Sequence, residues 1–538
     1  MRGKGFLFAV ATGLLLTGLV VLLAQQPPEE PARLLEKLFP TRPMLYLQVK
    51  DAAGLIQRYR QSVSRSRYEQ GQSFATFQKS RLYVKLEERI KRLAETAGFE
   101  INLEHVASFS GRPSAFWLFD LAELKFVAAT VLDKDQFAAS ILSKVQPDFE
   151  ERQEDQEEKI RYWVRENPEA GVVLAWTRVN NCLVFCHNAV PEFLAIARHL
   201  SQNNDFCSQS EEIFRKVFHA NFSSHQATLF LTGSALQNTY FRSYWLFRNE
   251  PEWRWMELGL VDFEERPDEW VERRYFLSGN SVIKGERTDL DQLACFVPET
   301  AYVNLCAEKD AEKLAEKLER YLFPEEMGKE IKGKMVSLLA AGQPDSYGVV
   351  LEPFFEADFF LRWKRALLLH LTRPEKFNRA EFLKVTREIY GQSFFPGGSS
   401  PASFDWKKSA LSGKEVYLLE PPLFPGSSLA MAAVGPVLFL ANSGDFLQKM
   451  VNSSGQKWEI DPGSFHLIRA DGQKLWNSYQ KTISFLASSP DWSTQEAATF
   501  FQENIPSLAV WFEPVKGFFF EERVRENCLE QVVRYRLR

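Results

Sequence analysis

Apolar residues along this chain recur at two spacings, one typical of amphipathic helices and one typical of strands. The segment 78–97 carries a single apolar stripe at helical spacing, and Gly98 follows it as a C-terminal stop signal. The members of the stripe are Leu82, Leu86, Ile90, Leu93 and Ala97. The pattern predicts a helix that buries this face and ends at Ala97.

Strand-like stretches are short and often adjacent in sequence. Residues 115–121 and 126–132 are rich in aromatic and β-branched side chains, and 171–188 contains two apolar runs separated by Asn180-Asn181. The polar stretches 64–73 and 146–159 are predicted to be a loop and a charged connector. Since hairpins dominate and helices are inserted singly, the pattern predicts an α+β fold with largely antiparallel sheets and helices packed on one face.

The tetrapeptide FEER occurs twice, at 263–266 and at 520–523, which points to an internal repeat. Three landmarks recur at nearly constant offsets of 256, 255 and 257 residues. They are the pairs Tyr46 and Tyr302, Asn180 and Gly435, and Phe263 and Phe520. The recurrence predicts two tandem duplicated units of about 240–250 residues each.

The N-terminus carries a candidate membrane segment. Arg2 and Lys4 precede the uncharged stretch 6–24, whose 19 residues can span a bilayer as one helix. Positive charge on the N-terminal side predicts a cytoplasmic N-terminus and an extracytoplasmic body, periplasmic or at the cell surface. A long cleaved signal peptide is the alternative. The predicted organisation is a transmembrane anchor or signal segment at 1–25, a spacer at 26–39, a first α+β repeat at 40–283, a linker at 284–296 and a second α+β repeat at 297–538.

Size and composition agree with a multidomain globular body. The 538 residues exceed the size at which a single core stops growing. A net charge of −5 gives no electrostatic footprint for nucleic acid, so no nucleic-acid partner is predicted. Six cysteines are too few for a disulfide scaffold in a chain of this length, and buried free thiols are the favoured interpretation.

The motifs that usually carry chemistry are incomplete. The stretch GKEIKGKM has phosphate-loop spacing but places Met335 where a magnesium-binding hydroxyl is required, and the sequence contains neither HExxH nor GxSxG. The doubled Glu264-Glu265 and Glu521-Glu522 pairs are predicted to point to opposite strand faces and to pair with arginines on the neighbouring strand. Those arginines are Arg273, Arg274, Arg534 and Arg536. No catalytic residue, metal site or cofactor is therefore predicted.

Clustered aromatic residues provide the candidate ligand-binding residues. Segments 240–256 and 353–363 hold large aromatic side chains that no single helical stripe or strand alternation can bury on one face. The candidates are Tyr244, Trp245, Trp253, Trp255, Phe354 and Phe359. A second feature is the basic stretch 64–85, in which Tyr68 and Tyr83 are interleaved. It is interpreted either as a solvated helix flank or as a surface for phospholipid head groups or an acidic partner.

The opening of the first repeat carries a family resemblance. A proline is followed by Tyr-x-x-Val-x-Asp, here Pro40, Tyr46, Val49 and Asp51. With the anchor and the repeat, this pattern resembles a group of membrane-anchored, internally duplicated bacterial extracytoplasmic proteins that carry a domain of unknown function. The resemblance covers about residues 40–538 and implies no catalytic residues. The second repeat departs from it, since its acidic residues lie at Glu308 and Asp310.

Two classes of function agree with these patterns. The favoured one is a membrane-anchored extracytoplasmic binding or interaction protein without enzymatic activity, acting on an apolar ligand or a protein partner. The alternative is an extracytoplasmic hydrolase whose site is assembled from residues distant in sequence.

The predicted topology is testable by fractionation. The full chain is expected to sediment with membranes, because the stretch 6–24 is long enough to span them. Protease added from the extracytoplasmic side is expected to digest the body. A soluble cytoplasmic protein with an intact N-terminus would contradict this topology.

Overall fold

The structure is a computed structural model that describes most of the chain from residue 43 to residue 537. The residues that it does not describe are 1–42, 80, 121–122, 155–158, 203–225, 238–255, 279–289, 300–301, 324–325, 357–359, 396–403, 412, 422–427, 454–457, 459, 462, 489–512, 526–527 and 538. The predicted membrane segment at 6–24 and the spacer at 26–39 lie outside the described residues. Within the described ranges, no helix is both long enough and apolar enough to cross a membrane.

The chain divides into two compact units. The first contains the described residues 43–278, and the second contains 290–488 and most of the C-terminal hairpin at 515–537. Residues 291–294, within the predicted linker, form a short helix whose Leu293 is fully buried in the core of the second unit.

The first unit contains ten strands and nine α-helices in its described residues. The strands are β1 (Leu45–Val49), β2 (Ser114–Asp120), β3 (Lys125–Val131), β4 (Glu150–Glu154), β5 (Ile160–Asn167), β6 (Val172–Val179), β7 (Cys182–His187), β8 (Ala227–Thr232), β9 (Met256–Arg266) and β10 (Glu269–Ser278). The helices are α1 (Ala52–Gln61), α2 (Val63–Glu69), α3 (Gln72–Gln78), α4 (Arg81–Ala97), α5 (Leu103–Ser108), α6 (Lys134–Ala139), α7 (Ile141–Val145), α8 (Val190–Gln202) and α9 (Gly233–Gln237).

The second unit contains ten strands and six α-helices in its described residues. The helices are α10 (Asp291–Ala294), α11 (Ala311–Leu322), α12 (Lys329–Gly342), α13 (Arg379–Phe394), α14 (Gly444–Asn452) and α15 (Gly472–Ser488). The strands are β11 (Tyr302–Ala307), β12 (Pro344–Glu356), β13 (Phe360–Leu371), β14 (Lys407–Leu411), β15 (Lys414–Leu419), β16 (Leu429–Val434), β17 (Val437–Ala441), β18 (Ser464–Asp471), β19 (Val515–Arg525) and β20 (Cys528–Leu537).

Within each unit the strands pair in one continuous series, and the two series have corresponding strand orders. The first runs β10-β9-β8-β1-β2-β3-β7-β6-β5-β4 with antiparallel pairing throughout. The second runs β20-β19-β18-β11-β12-β13-β17-β16-β15-β14, antiparallel from β19 to β14. The two landmark turns lie at equivalent places in these orders, and Asn180 and Gly435 both adopt positive φ (54° and 56°). The predicted α+β class with antiparallel sheets is confirmed.

Helices cover both faces of each sheet, so the prediction of helices on one face is wrong. In β6, Leu174 and Trp176 pack against α4 and α6, whereas Ala175 packs in the core that contains Phe193 of α8. The second unit is arranged similarly, with α11–α13 over one core and α14 over the other. Coverage of both faces is reflected in the consecutive buried residues of β6 and β17. A strand that is covered on both faces no longer alternates between apolar and polar residues.

Two polar stretches adopt regular structure that their composition conceals. Residues 64–73, predicted to be a loop, lie largely in α2 and α3, and the Ser62 side chain caps α2 by accepting from the Arg65 amide at 3.2 Å. The charged connector 146–159 contains β4, which pairs only with β5 among the described strands. An edge strand with charges on both faces resists pairing with other chains and has no apolar alternation to reveal it.

One of the two cores of the first unit, on the face covered by α4 and α6, contains the fully buried Trp176. Its ring stacks on Trp163 at a centroid distance of 4.4 Å, and Phe137 and Phe149 approach at 5.5 and 6.3 Å. Substitution Trp176→Ala is expected to lower the opening free energy of the β5 and β6 amides by about 3–5 kcal/mol, because it leaves a cavity among these rings.

Hydrogen exchange resolved by mass spectrometry measures this effect. The control variant is Glu169→Ala, at an exposed turn before β6, which is expected to change the same amides by less than about 0.5 kcal/mol. Unchanged protection of β5 and β6 in Trp176→Ala would show that this ring is not central to the core.

Candidate binding surface

The first copy of the FEER motif lies near the surface. The Glu264 carboxylate pairs with Arg266 at 3.0 Å and with Arg273 at 3.7 Å, and all three side chains remain 24–42% exposed. The predicted contact with Arg273 is confirmed. The Arg274 guanidinium donates to Glu272 on its own strand, where both side chains are buried.

The second copy is buried. Glu521 accepts hydrogen bonds from the Ser464 hydroxyl at 2.5 Å and from the Asp461 amide at 2.7 Å, while Glu522 accepts from Gln531 at 2.6 Å. The two adjacent carboxylates thus bond to different groups, as the alternation of a strand requires. Arg534, predicted to pair with them, instead lies over the Phe519 ring at 5.2 Å.

Arg523 connects the buried copy to the neighbouring strand. Its guanidinium donates to both carboxylate oxygens of Glu530, at 2.6 and 2.7 Å, and also to Asp461. Burial alone would lower the pKa of Arg523, but the hydrogen bonds and charge of Glu530 raise it above its usual value. A bidentate pair of this kind fixes strand geometry and favours a structural role for the second FEER copy.

The two motif arginines provide a matched pair for testing this role. Arg523→Ala is expected to destabilise the second unit by about 3–5 kcal/mol, since it removes a bidentate ion pair from the buried Glu530 carboxylate. Arg266→Ala, at the corresponding exposed position, is expected to cost less than about 1 kcal/mol. Urea unfolding followed by circular dichroism and by hydrogen exchange of β19 and β20 compares the two. Equal effects would contradict the structural assignment.

A Ser, a His and an Asp meet where β12 and β13 pair, but their geometry differs from that of a nucleophilic triad. His370 Nδ1 lies 2.7 Å from Asp345 Oδ1, and the Ser346 hydroxyl donates to the same oxygen at 2.9 Å. A triad requires the serine to donate to the histidine. Here the fully buried Ser346 donates to the aspartate, so these contacts join the two strands.

The two thiols on β7 are shielded. Cys182 and Cys186 are buried on β7 and free, as predicted. Burial raises the pKa of Cys182 to about 11 and that of Cys186 to about 12, which keeps both protonated and unreactive at neutral pH. Within the described part of the chain, no group of three or more His, Cys, Asp and Glu side chains is arranged to hold a metal ion.

The predicted aromatic site is placed only at Phe354. Tyr244, Trp245, Trp253, Trp255 and Phe359 lie outside the described residues. Phe354 is half-buried on β12 opposite Arg362, and Lys364 Nζ lies 5.6 Å from the centroid of its ring. One ring beneath a lysine does not form a ligand site by itself, and the aromatic site stays a prediction.

The exposed large hydrophobic side chains in the described residues are instead concentrated in residues 52–97, here named the basic helical segment. They are Val63 on α2 and Val84 and Ile90 on α4, with exposed fractions of 65%, 51% and 42%. Scattered exposed aliphatic residues are ordinary on any protein. Here three fall within one segment of 46 residues, and no other large hydrophobic residue in the described ranges is as exposed, which makes this segment the candidate binding surface.

The helices of this segment are defined by local capping. The Asp51 carboxylate accepts from the Gly54 amide at 2.8 Å at the start of α1, and Ser62 caps α2. At the other end, α4 stops at Ala97 and Gly98 adopts φ +77°. The predicted end of this helix is confirmed.

The apolar stripe of α4 is only half covered. Leu93 and Ala97 are buried against β5 and β6, but Leu86 is half-buried and Ile90 is exposed. The sequence correctly predicts the stripe, since its residues share one helical face. It does not show that the sheet covers only the C-terminal end of that face.

An aromatic cluster joins α2, α3 and α4. Tyr68 contacts Phe74 at a centroid distance of 5.5 Å, and Tyr83 contacts Phe74 and Phe77 at 6.1 and 5.3 Å. Tyr68 is buried, and burial raises the pKa of its hydroxyl. This small core holds α2 and α3 against α4, and with seven residues each α2 and α3 would be marginal in isolation.

The basic helical segment has a charge opposite to that of the whole protein. It contains ten Lys and Arg against four Glu, a net charge of +6 in a chain whose net charge is −5. Several of its arginines form ion pairs, such as Arg65 with Glu69 at 2.7 Å. Lys79, Lys85 and Lys91 are exposed and have no carboxylate partner among the described residues. The segment therefore presents net positive charge to solvent.

The corresponding helices of the second unit show the opposite properties. Between β11 and β12, α11 buries Leu314, Leu318 and Leu322, and α12 buries Ile331, Met335 and Leu339. Residues 311–342 carry six basic and six acidic side chains, a net charge of zero. The helices at this place in the strand order therefore differ between the units. Those of the second unit bury their apolar residues and are neutral, whereas those of the first unit expose apolar residues and are basic.

Comparisons with known proteins leave the function open. Neither a known family nor a curated protein matches the sequence. Among solved structures, crystal form I of TP0453 is similar at 12% identity, covering 45% of this chain and 78% of that chain with a TM-score of 0.24. Crystal form III of TP0453 is similar at 14% identity, covering 45% and 79% with the same TM-score.

Proposed function

We propose that this protein is a membrane-anchored, extracytoplasmic binding or interaction protein without enzymatic activity, and that the basic helical segment is its binding surface. The observation that carries the proposal is the exposure of Val63, Val84 and Ile90 on a segment of net charge +6. Exposed apolar side chains surrounded by polar groups are typical of interaction sites.

The proposal includes a tandem duplication of the two units. It is supported by the corresponding orders of ten strands and by the equivalent turns at Asn180 and Gly435. It is further supported by the recurrence of FEER on β9 and β19. In this account the second copy kept a closed helical layer, while the first copy diverged to expose its layer for binding.

The proposed anchor restricts where the binding surface can reach. The predicted membrane segment ends at residue 24 and β1 begins at Leu45, so about 20 residues connect them. That length spans at most about 70 Å when fully extended. The spacer QQPPEEP is polar and stiff, and it would hold the first unit near the membrane.

Site-specific photo-crosslinking in the producing cells tests the proposal. A photo-crosslinking amino acid in place of Val84 is expected to give adducts, because the surface is occupied in the native setting. The same amino acid in place of Glu312, exposed on α11, is the control and is expected to give several-fold fewer. Equal yields at the two positions would mean that the basic helical segment is not a binding surface.

A further inference from the structure

We infer that the basic helical segment lies against an anionic phospholipid bilayer, with Val63, Val84 and Ile90 in the interfacial region and Lys79, Lys85 and Lys91 among the head groups. The inference rests on the proposed function and names its partner. It requires the three aliphatic side chains to be accessible and the three lysines to retain their charge for the lipid.

Charge favours an anionic partner. The segment carries +6, whereas the equivalent helices of the second unit carry zero. Each lysine near an anionic leaflet contributes favourably to the free energy of membrane binding, and this attraction decays within a Debye length. The exposed lysines of this segment have no carboxylate among the described residues to neutralise them, so their charge is available.

The type of side chain favours lipid over protein. Cores of protein interfaces are enriched in aromatic residues and arginine and depleted in lysine. Here the exposed apolar residues are Val and Ile, and the aromatic rings of Tyr68, Phe74 and Tyr83 pack on one another. Among the described side chains of this segment, the exposed cations without an ion pair are lysines. Lysine stems can lie along acyl chains while their ammonium groups reach the head groups.

The helical architecture suits binding in the plane of a membrane. α4 is amphipathic, and the C-terminal end of its apolar stripe is fixed to the sheet through Leu93 and Ala97. Near the middle of the helix, Ile90 is exposed on the same stripe. Interfacial helices bind through such a shallow apolar face combined with basic residues. A proposed anchor only about 20 residues from β1 would raise the effective concentration of this surface at the bilayer.

The test uses the full chain reconstituted into vesicles that contain labelled phospholipid. The vesicles are either phosphatidylcholine with phosphatidylglycerol or phosphatidylcholine alone, and the photo-crosslinking amino acid replaces Val84 or, as the control, Glu312. Lipid adducts are expected at position 84 in the anionic vesicles, several-fold fewer in the neutral ones, and fewer at high salt. At position 312 both vesicle types are expected to give the same low yield.

A charge variant provides the matched comparison. Lys79, Lys85 and Lys91 are changed together to Gln, and the control changes Lys313, Lys329 and Lys334, which are exposed on α11 and α12. The first variant is expected to lower the ratio of docked to undocked segment about 100-fold, at about five-fold per lysine. The control has the same change in net charge and is expected to behave like the native chain. Circular dichroism checks that both variants are folded.

The outcomes separate the two proposals. Lipid adducts at position 84 that depend on anionic lipid and on the three lysines support the inference. Equal yields of lipid adduct at position 84 in the two vesicle types would overturn it. An equal loss of these adducts in the two lysine variants would also overturn it. If the cellular adducts at position 84 are with protein, the binding surface stands but its partner is not lipid. If position 84 gives no more adducts than position 312 in cells and in vesicles alike, both proposals fail.

Discussion

The structure depends on covering both faces of a twisted antiparallel sheet. In each unit the central strands carry adjacent buried residues, such as Leu174, Ala175 and Trp176 in β6, so neither face can be left to water. The hydrophobic effect then requires a helical layer on each side. The helices between β1 and β2 in the first unit, and between β11 and β12 in the second, provide one such layer. In the second unit the helices of this layer bury their apolar residues. In the first unit part of the layer is exposed, and this part is the basic helical segment.

The two units use the same motif with different energetics. In the first unit the FEER carboxylates lie in contact with water and their ion pairs contribute little. In the second unit the same residues are buried, and each carboxylate is bonded to a neighbouring group. Arg523 is the clearest case, because its counterpart Arg266 has the same neighbours in sequence but remains 42% exposed. The same tetrapeptide in the two units therefore does not imply the same role.

Much of the fold could be predicted from local pattern. The stop of α4 at Gly98, the turn at Asn180 and the strands β2, β3, β6 and β7 follow from periodicity and turn chemistry, which are properties of a few consecutive residues. The helices at 63–78 and the strand at 150–154 were not predictable in this way, because polar residues on every face conceal the period. The covering of both sheet faces also depends on residues far apart in sequence.

The candidate surface was only partly predictable. The basic stretch with Tyr68 and Tyr83 is visible in the sequence, but the exposure of Ile90 is not, since the stripe to which it belongs reads as core. Leu93 and Ile90 lie on one helical face and differ only in whether the sheet extends beneath them. Exposure of an apolar residue at a core-like position is a tertiary property and requires the structure.

The most direct test of the central claim is hydrogen exchange of the full chain in anionic and in neutral bilayers. The account predicts slower exchange of amides in residues 63–92 only when anionic lipid is present, with α11 and α12 unchanged. Such a result would show that the open helical layer of the first unit is completed by the membrane. Identical exchange of residues 63–92 in both bilayers would contradict the account.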